Sequence, residues 1–161
     1  MTEAIAERVF GELDRLGVPY ERIDIDPANA DTARFCEVYG YPVERSANTI
    51  VVASKKEPKQ YAACVVRADG RLDVNHVVRA RMGVSRLSFA KAEETTELTG
   101  MAIGGVTVFA LPADLPIYVD ERLMALDWVI LGGGDRATKV KISPEIFHRL
   151  PNAMIVADLA D

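Results

Sequence analysis

Cysteine and histidine are scarce: the 161 residues hold two of each, Cys36, Cys64, His76 and His148. None stands in CxxC, HExxH or mixed Cys/His spacing, so no metal centre is implied and the cysteines read as reduced, mostly buried thiols. Long apolar runs are missing too. The strongest, Thr49 to Ala53, is far shorter than the roughly 20 residues of a membrane span, so none is expected. The start, Met1-Thr2-Glu3-Ala4-Ile5, lacks the basic head and apolar stretch of a secretory signal, and a cytoplasmic location is expected. There is no GxSxG elbow, no GxGxxG, no GxxxxGK[ST], no repeat and no linker. The chain reads as one domain over residues 1–161, long enough to bury about 70% of its unfolded surface.

Net charge is -5, which argues against indiscriminate coating of nucleic acid. The charge is uneven, however. Arg45 to Lys91 holds ten Lys and Arg against three Asp and Glu, while the remainder holds nine against twenty-one. A phosphate-facing surface and a plain solvated face both fit this basic middle.

Ile5, Val9, Leu13 and Leu16 recur at helical spacing before Gly17, which predicts a helix over Ala4 to Leu16. Tyr20 to Asp26 alternates like a half-buried strand ended by Pro27. Asp31 is placed to cap a helix Thr32 to Tyr39 that exits at Gly40. Thr49 to Ala53 and Tyr61 to Val66 read as a hairpin, and Asp73 as the cap of a helix Val74 to Met82. A short strand Leu87 to Phe89, a helix Lys91 to Thr99 and a strand Val106 to Leu111 follow. Next come strands at Ile117 to Val119, Trp128 to Leu131, Lys139 to Ile142 and Met154 to Val156, with short helices near Glu121 to Ala125 and after Ser143-Pro144. This irregular order fits α+β better than a βαβ alternation.

Two glycine clusters, Gly104-Gly105 and Gly132-Gly133-Gly134, are candidates for presenting backbone N–H groups to a phosphate or to a developing oxyanion. From the glycines alone, tight turns without a ligand are the favoured reading.

Over nearly its whole length the chain resembles the YbaK / prolyl-tRNA-synthetase-associated editing family. The segments that carry this are Ala47-Asn48-Thr49-Ile50-Val51-Val52, Arg71-Leu72-Asp73, Leu98-Thr99-Gly100 through Gly104-Gly105-Val106, and Ile117-Tyr118-Val119-Asp120 with Gly132-Gly133-Gly134-Asp135-Arg136. The resemblance implies a mixed, largely antiparallel curved sheet surrounded by short helices. It implies metal-independent hydrolysis of a mischarged amino acid from tRNA, with no cofactor and with the aminoacylated 3' end of tRNA and an aminoacyl-tRNA synthetase as partners. Asn48, Thr49, Gly105, Val106 and Thr107 are then the catalytic candidates. Tyr20, Gly104, Asp120, Gly132, Gly133, Gly134 and Arg136 are candidates for binding substrate, and Lys55 and Lys56 for contacting tRNA phosphate.

Two departures stand out. Asn48 occupies the place of the family's lysine, and Val108 closes a turn that reads Gly-x-x-x-Pro in relatives. Loss of one charged contact costs roughly 1.5 to 3 kcal/mol, so Asn48→Lys is expected to raise deacylation if the missing ammonium limits the rate. A catalytically inactive module of the same fold, binding a tRNA end, a nucleotide or a synthetase, is the alternative. Outside the site, Asp120 serves equally as an N-cap, Tyr20 and the threonines as packing residues, and Arg136 as a surface pair.

Overall fold

The structure is a computed structural model and describes residues 4–161; the Met1-Thr2-Glu3 start lies outside the described residues. Helix α1 spans Ile5–Leu16 and ends on Gly17, whose φ of 76° is the left-handed conformation that glycine adopts without strain. Strand β1 is Tyr20–Asp24, and α2 is Thr32–Tyr39. The hairpin forms as β2, Ala47–Ser54, and β3, Tyr61–Arg67, antiparallel with Thr49 opposite Val65.

Beyond the hairpin lie α3, Arg79–Met82, β4, Leu87–Phe89, and α4, Ala92–Thr99. The chain closes with β5, Ile117–Asp120, β6, Val129–Gly132, β7, Thr138–Ile142, and β8, Ala153–Val156. The fold is α+β with two sheets. One is three-stranded in the order β1-β7-β6, the other five-stranded in the order β4-β2-β3-β5-β8. Pairing is antiparallel except where β5 lies parallel to β3 and to β8.

Burial on both faces explains why β3 reads as a continuous apolar run rather than an alternation. Ala63 and Val65 join the main core with Val9, Leu13, Phe109 and Leu131. Cys64 and Val66 join a second cluster with Val52, Val78 and Leu159 on the opposite face. A third, smaller cluster of Ile25, Ala30, Phe35, Cys36 and Ile130 seats α2 against the three-stranded sheet.

Three sequence expectations are corrected. Val106 to Leu111 is no strand: Val108 and Phe109 are buried, but the Thr107 N–H donates to Met101 Sδ and the Ala110 N–H to Glu12 Oε2 instead of to a ladder. A short apolar run carries the same pattern whether a strand edge or a packed loop buries it. The helix expected from Val74 begins as a π-helical stretch, Val74–Val78, under an Asp73 cap on the His76 N–H. Asp31 stands at the N-cap of α2, but its carboxylate makes no capping bond and lies 3.6 Å from Arg136.

Candidate active site

Among the described residues one isolated parallel bridge links the two sheets, between Ser46, just before β2, and Ile130 of β6; β2 and β6 themselves form no ladder, so the sheets split there. A cavity of about 560 Å³ opens at this split, within the usual range for small-molecule pockets. Asn48 and Thr49 reach it from β2, Gly132 from β6 and Lys139 from β7. Asp31, Thr32 and Ala33 line it at the start of α2, as do Ile103, Gly104 and Val106, with Phe89 from the edge strand β4. Residues two apart on a strand share a face. Asn48 therefore faces with Ser46, and Gly132 with Ile130 and with its register partner Lys139. Asn48 and Lys139 thus flank a position without a side chain.

Glycine at 132 has a steric reason, since a Cβ there would sit 2.7 Å from the Val106 carbonyl oxygen and 2.9 Å from that of Gly105. Its absence lets the 103–106 turn lie directly on β6. Gly104, at φ 94°, stands in the left-handed region that favours glycine, and a Cβ there would also displace the Arg136 guanidinium, 2.4 Å away.

Lys139 carries the site's buried charge. It is only 4% exposed, and its Nζ donates to the carbonyl oxygens of Ala30 at 2.7 Å and Gly104 at 3.0 Å. The Phe35 ring lies 5.5 Å away, and among the described residues no carboxylate forms an ion pair with it. Burial lowers its pKa to about 8; Asp31 and Cys36 pull the value up and Arg136 pushes it down. Two of three ammonium hydrogens are used, which leaves one for a ligand. Arg136 clasps the outside of the site by donating to Ile103 O at 2.6 Å and Pro27 O at 3.1 Å.

Asn48 Oδ1 accepts from the Thr32 hydroxyl at 2.5 Å, so its NH2 is the group left to donate. Among the described residues, the N–H groups of Gly104 and Val106 bond to no protein acceptor, whereas that of Gly105 donates to Ala102 O at 2.8 Å. Gly105 is pressed on the Asp135 backbone, where a Cβ would lie 2.2 Å from the carbonyl oxygen.

Of the sequence candidates, Asn48, Thr49, Gly104, Val106 and Gly132 share the cavity wall. Gly105, Thr107, Tyr20, Asp120, Gly133, Gly134 and Arg136 do not line it. The Thr107 hydroxyl is buried without a partner among the described residues. Tyr20 donates to Asp14 Oδ1 at 2.7 Å, and burial raises its pKa. Asp120, 1% exposed, caps the turn after β5 on the Arg122 N–H and also binds the Arg122 guanidinium. The Gly133 and Gly134 N–H groups go to Thr138 O and Gly105 O. Lys55 and Lys56 are exposed beyond the far end of β2, about 20 Å from Asn48 at the usual rise per strand residue.

Sequence reasoning missed Lys139, Phe89, Ile103 and the start of α2. In Thr138-Lys139-Val140-Lys141-Ile142 the alternation assigns both lysines to solvent, and only the packing of α2 separates them. Lys139 is buried, while Lys141 is half-buried with its Nζ 4.5 Å from the centre of the Trp128 ring.

Among solved structures, a candidate trans-editing enzyme for prolyl-tRNA synthetase is 26% identical, with a TM-score of 0.81, over 100% of this chain and 99% of that one. The hypothetical protein APE2540 is 25% identical, with a TM-score of 0.84, over 96% and 99% of the two chains. A larger chain from Marinobacter aquaeolei VT8, a candidate signal transduction protein, shares the fold at 19% identity and a TM-score of 0.60, this chain covering 31% of it. The sequence model of the aminoacyl-tRNA editing domain matches residues 26–150, a span that contains every wall of the cavity, and the chain belongs to that family.

Proposed function

We propose that this protein hydrolyses the ester joining a wrongly attached amino acid to the 3' end of a tRNA, acting in trans beside a synthetase in the cytoplasm. The observation that carries this reading is the gathering of Asn48, Lys139 and the Gly104 to Val106 turn around one cavity of about 560 Å³ in a chain of the editing family. That volume suits the terminal nucleoside with a small acyl group. The Asn48 NH2 and the unengaged N–H groups of Gly104 and Val106 hold the substrate's oxygens. Thr49 also lines the cavity. In the reaction a water oxygen bonds to the acyl carbon, the bond to the ribose oxygen breaks with its electron pair staying on that oxygen, and a water proton ends there.

The test is a panel of mischarged tRNAs, followed by release of labelled amino acid. Hydrolysis of at least one member well above the buffer rate is expected. Hydrolysis of none removes the reading, and retention of tRNA without turnover favours a binding module instead.

A further inference from the structure

We infer that Lys139 supplies the cation of this site, its ammonium donating to the carbonyl oxygen of the scissile aminoacyl ester from β7, across the cavity from Asn48. The inference rests on the proposed hydrolysis and assigns one group within it. Geometry carries it. Lys139 is nine-tenths buried, lines the cavity, spends two hydrogens on Ala30 O and Gly104 O, and has no carboxylate partner among the described residues. A buried ion held only by neutral carbonyls is costly to keep where an apolar side chain of the same length would fill the space. A second feature points the same way: Thr32 and Ala33 open α2 on the same cavity, and the Asp31 side chain leaves the first N–H groups of that helix uncapped.

The chemistry follows from this placement. As water adds to the acyl carbon, the carbonyl oxygen gains negative charge. A fixed ammonium in a poorly hydrated wall then interacts more strongly with the transition state than with the neutral ester. The same two carbonyls that orient Nζ hold it in place, so little reorganisation accompanies the step. The titratable groups facing Lys139 are Asp31 and Cys36 from the α2 side and Arg136 from the β6–β7 turn. Its free-enzyme pKa of about 8 leaves the ammonium as the major form at neutral pH.

The experiment compares wild type, Lys139→Met and the double variant Asn48→Lys with Lys139→Met in single-turnover deacylation from pH 6.5 to 9, roughly bracketing the Lys139 pKa. Lys139→Met is expected to lower the rate about 100-fold without lowering the melting temperature, because the methionine fills the same space and removes a buried charge. Restoring an ammonium from β2 in the double variant is expected to recover at least roughly tenfold of that loss. At sub-saturating enzyme, where the rate reports the free form, the wild-type rate is expected to fall as pH rises through about 8.

A Lys139→Met rate within roughly threefold of wild type overturns the inference and leaves the proposed hydrolysis standing, since so small a change is less than one transition-state contact contributes. A wild-type rate that climbs through pH 8 also overturns it, because the neutral amine would then be the working form, as a base. A binding readout is independent of turnover. On addition of 3'-alanylamino-3'-deoxyadenosine, whose amide replaces the ester, the Lys139 ε-carbon resonance is expected to shift and its titration to move to higher pH. Binding of this probe with no change at Lys139 sinks the inference, and neither binding nor deacylation by wild type removes inference and proposed function together.

Discussion

The Lys139 Nζ donates to the carbonyl oxygen of Gly104 at 3.0 Å, tying β7 to the turn that also supplies the free N–H groups of Gly104 and Val106. The bond joins the ammonium and the turn on the lining of one cavity between the sheets. It also makes the stability of this packing depend on the charge state of one buried side chain.

That dependence gives stability a pH signature. The unfolded lysine loses its proton near the ordinary value of 10.5, whereas the folded one does so near 8. Between these values the unfolded state binds more protons, so native stability rises with pH. Relative to Lys139→Met, wild type is expected to gain about 3 kcal/mol between the two limits. Urea titrations of both proteins across this window measure the difference, and parallel curves would refute a lowered Lys139 pKa.

Asn48→Lys, read from the sequence alone as a gain, carries the opposite expectation once Lys139 is in place. It removes the Thr32 bond and adds a second cation to a cavity that already holds one. The single-turnover rate is expected to drop about fivefold, equivalent to about 1 kcal/mol for the lost hydrogen bond. A gain of roughly tenfold, the size of one charged contact, would show instead that the site lacks a cation.

Thr107→Val tests whether this threonine packs or reacts. Its hydroxyl is buried with no partner among the described residues, so the isosteric valine is expected to stabilise the fold by about 1 kcal/mol. The deacylation rate should stay unchanged, since Thr107 does not line the cavity. A loss of rate at unaltered stability would return the hydroxyl to the chemistry.

Gly105→Ala should act through folding rather than through an oxyanion contact. The Gly105 N–H is committed to Ala102 O, and a Cβ would meet the Asp135 carbonyl oxygen at 2.2 Å. Backbone cannot swing aside like a flexible side chain, so a loss of about 2 to 3 kcal/mol is expected in urea unfolding. A variant of native stability that no longer deacylates would restore Gly105 as a direct participant.

Elements set by neighbours in the chain were legible from the residues alone. The apolar spacing of Val9 and Leu13 with Gly17 behind them, the β-branched runs of the hairpin and the Ser143-Pro144 start each encode a local preference, and each formed. The resemblance placed Asn48, Thr49, Gly104, Val106 and Gly132 near a common site, and these five line one cavity. Spacing does not reveal which N–H groups of the glycine clusters are left free. The donors of Gly105, Gly133 and Gly134 are spent within the protein.

What the sequence determined by itself is therefore most of the elements, the α+β class and the family. Tertiary structure alone decided which strand lysine lines the cavity. Lys139 and Lys141 have the same local pattern and differ only because α2, anchored through Phe35 and Cys36, covers one of them. Burial by a segment about a hundred residues away is a property of packing that no window of sequence contains, and it turns an ordinary strand lysine into a buried charge lining the cavity.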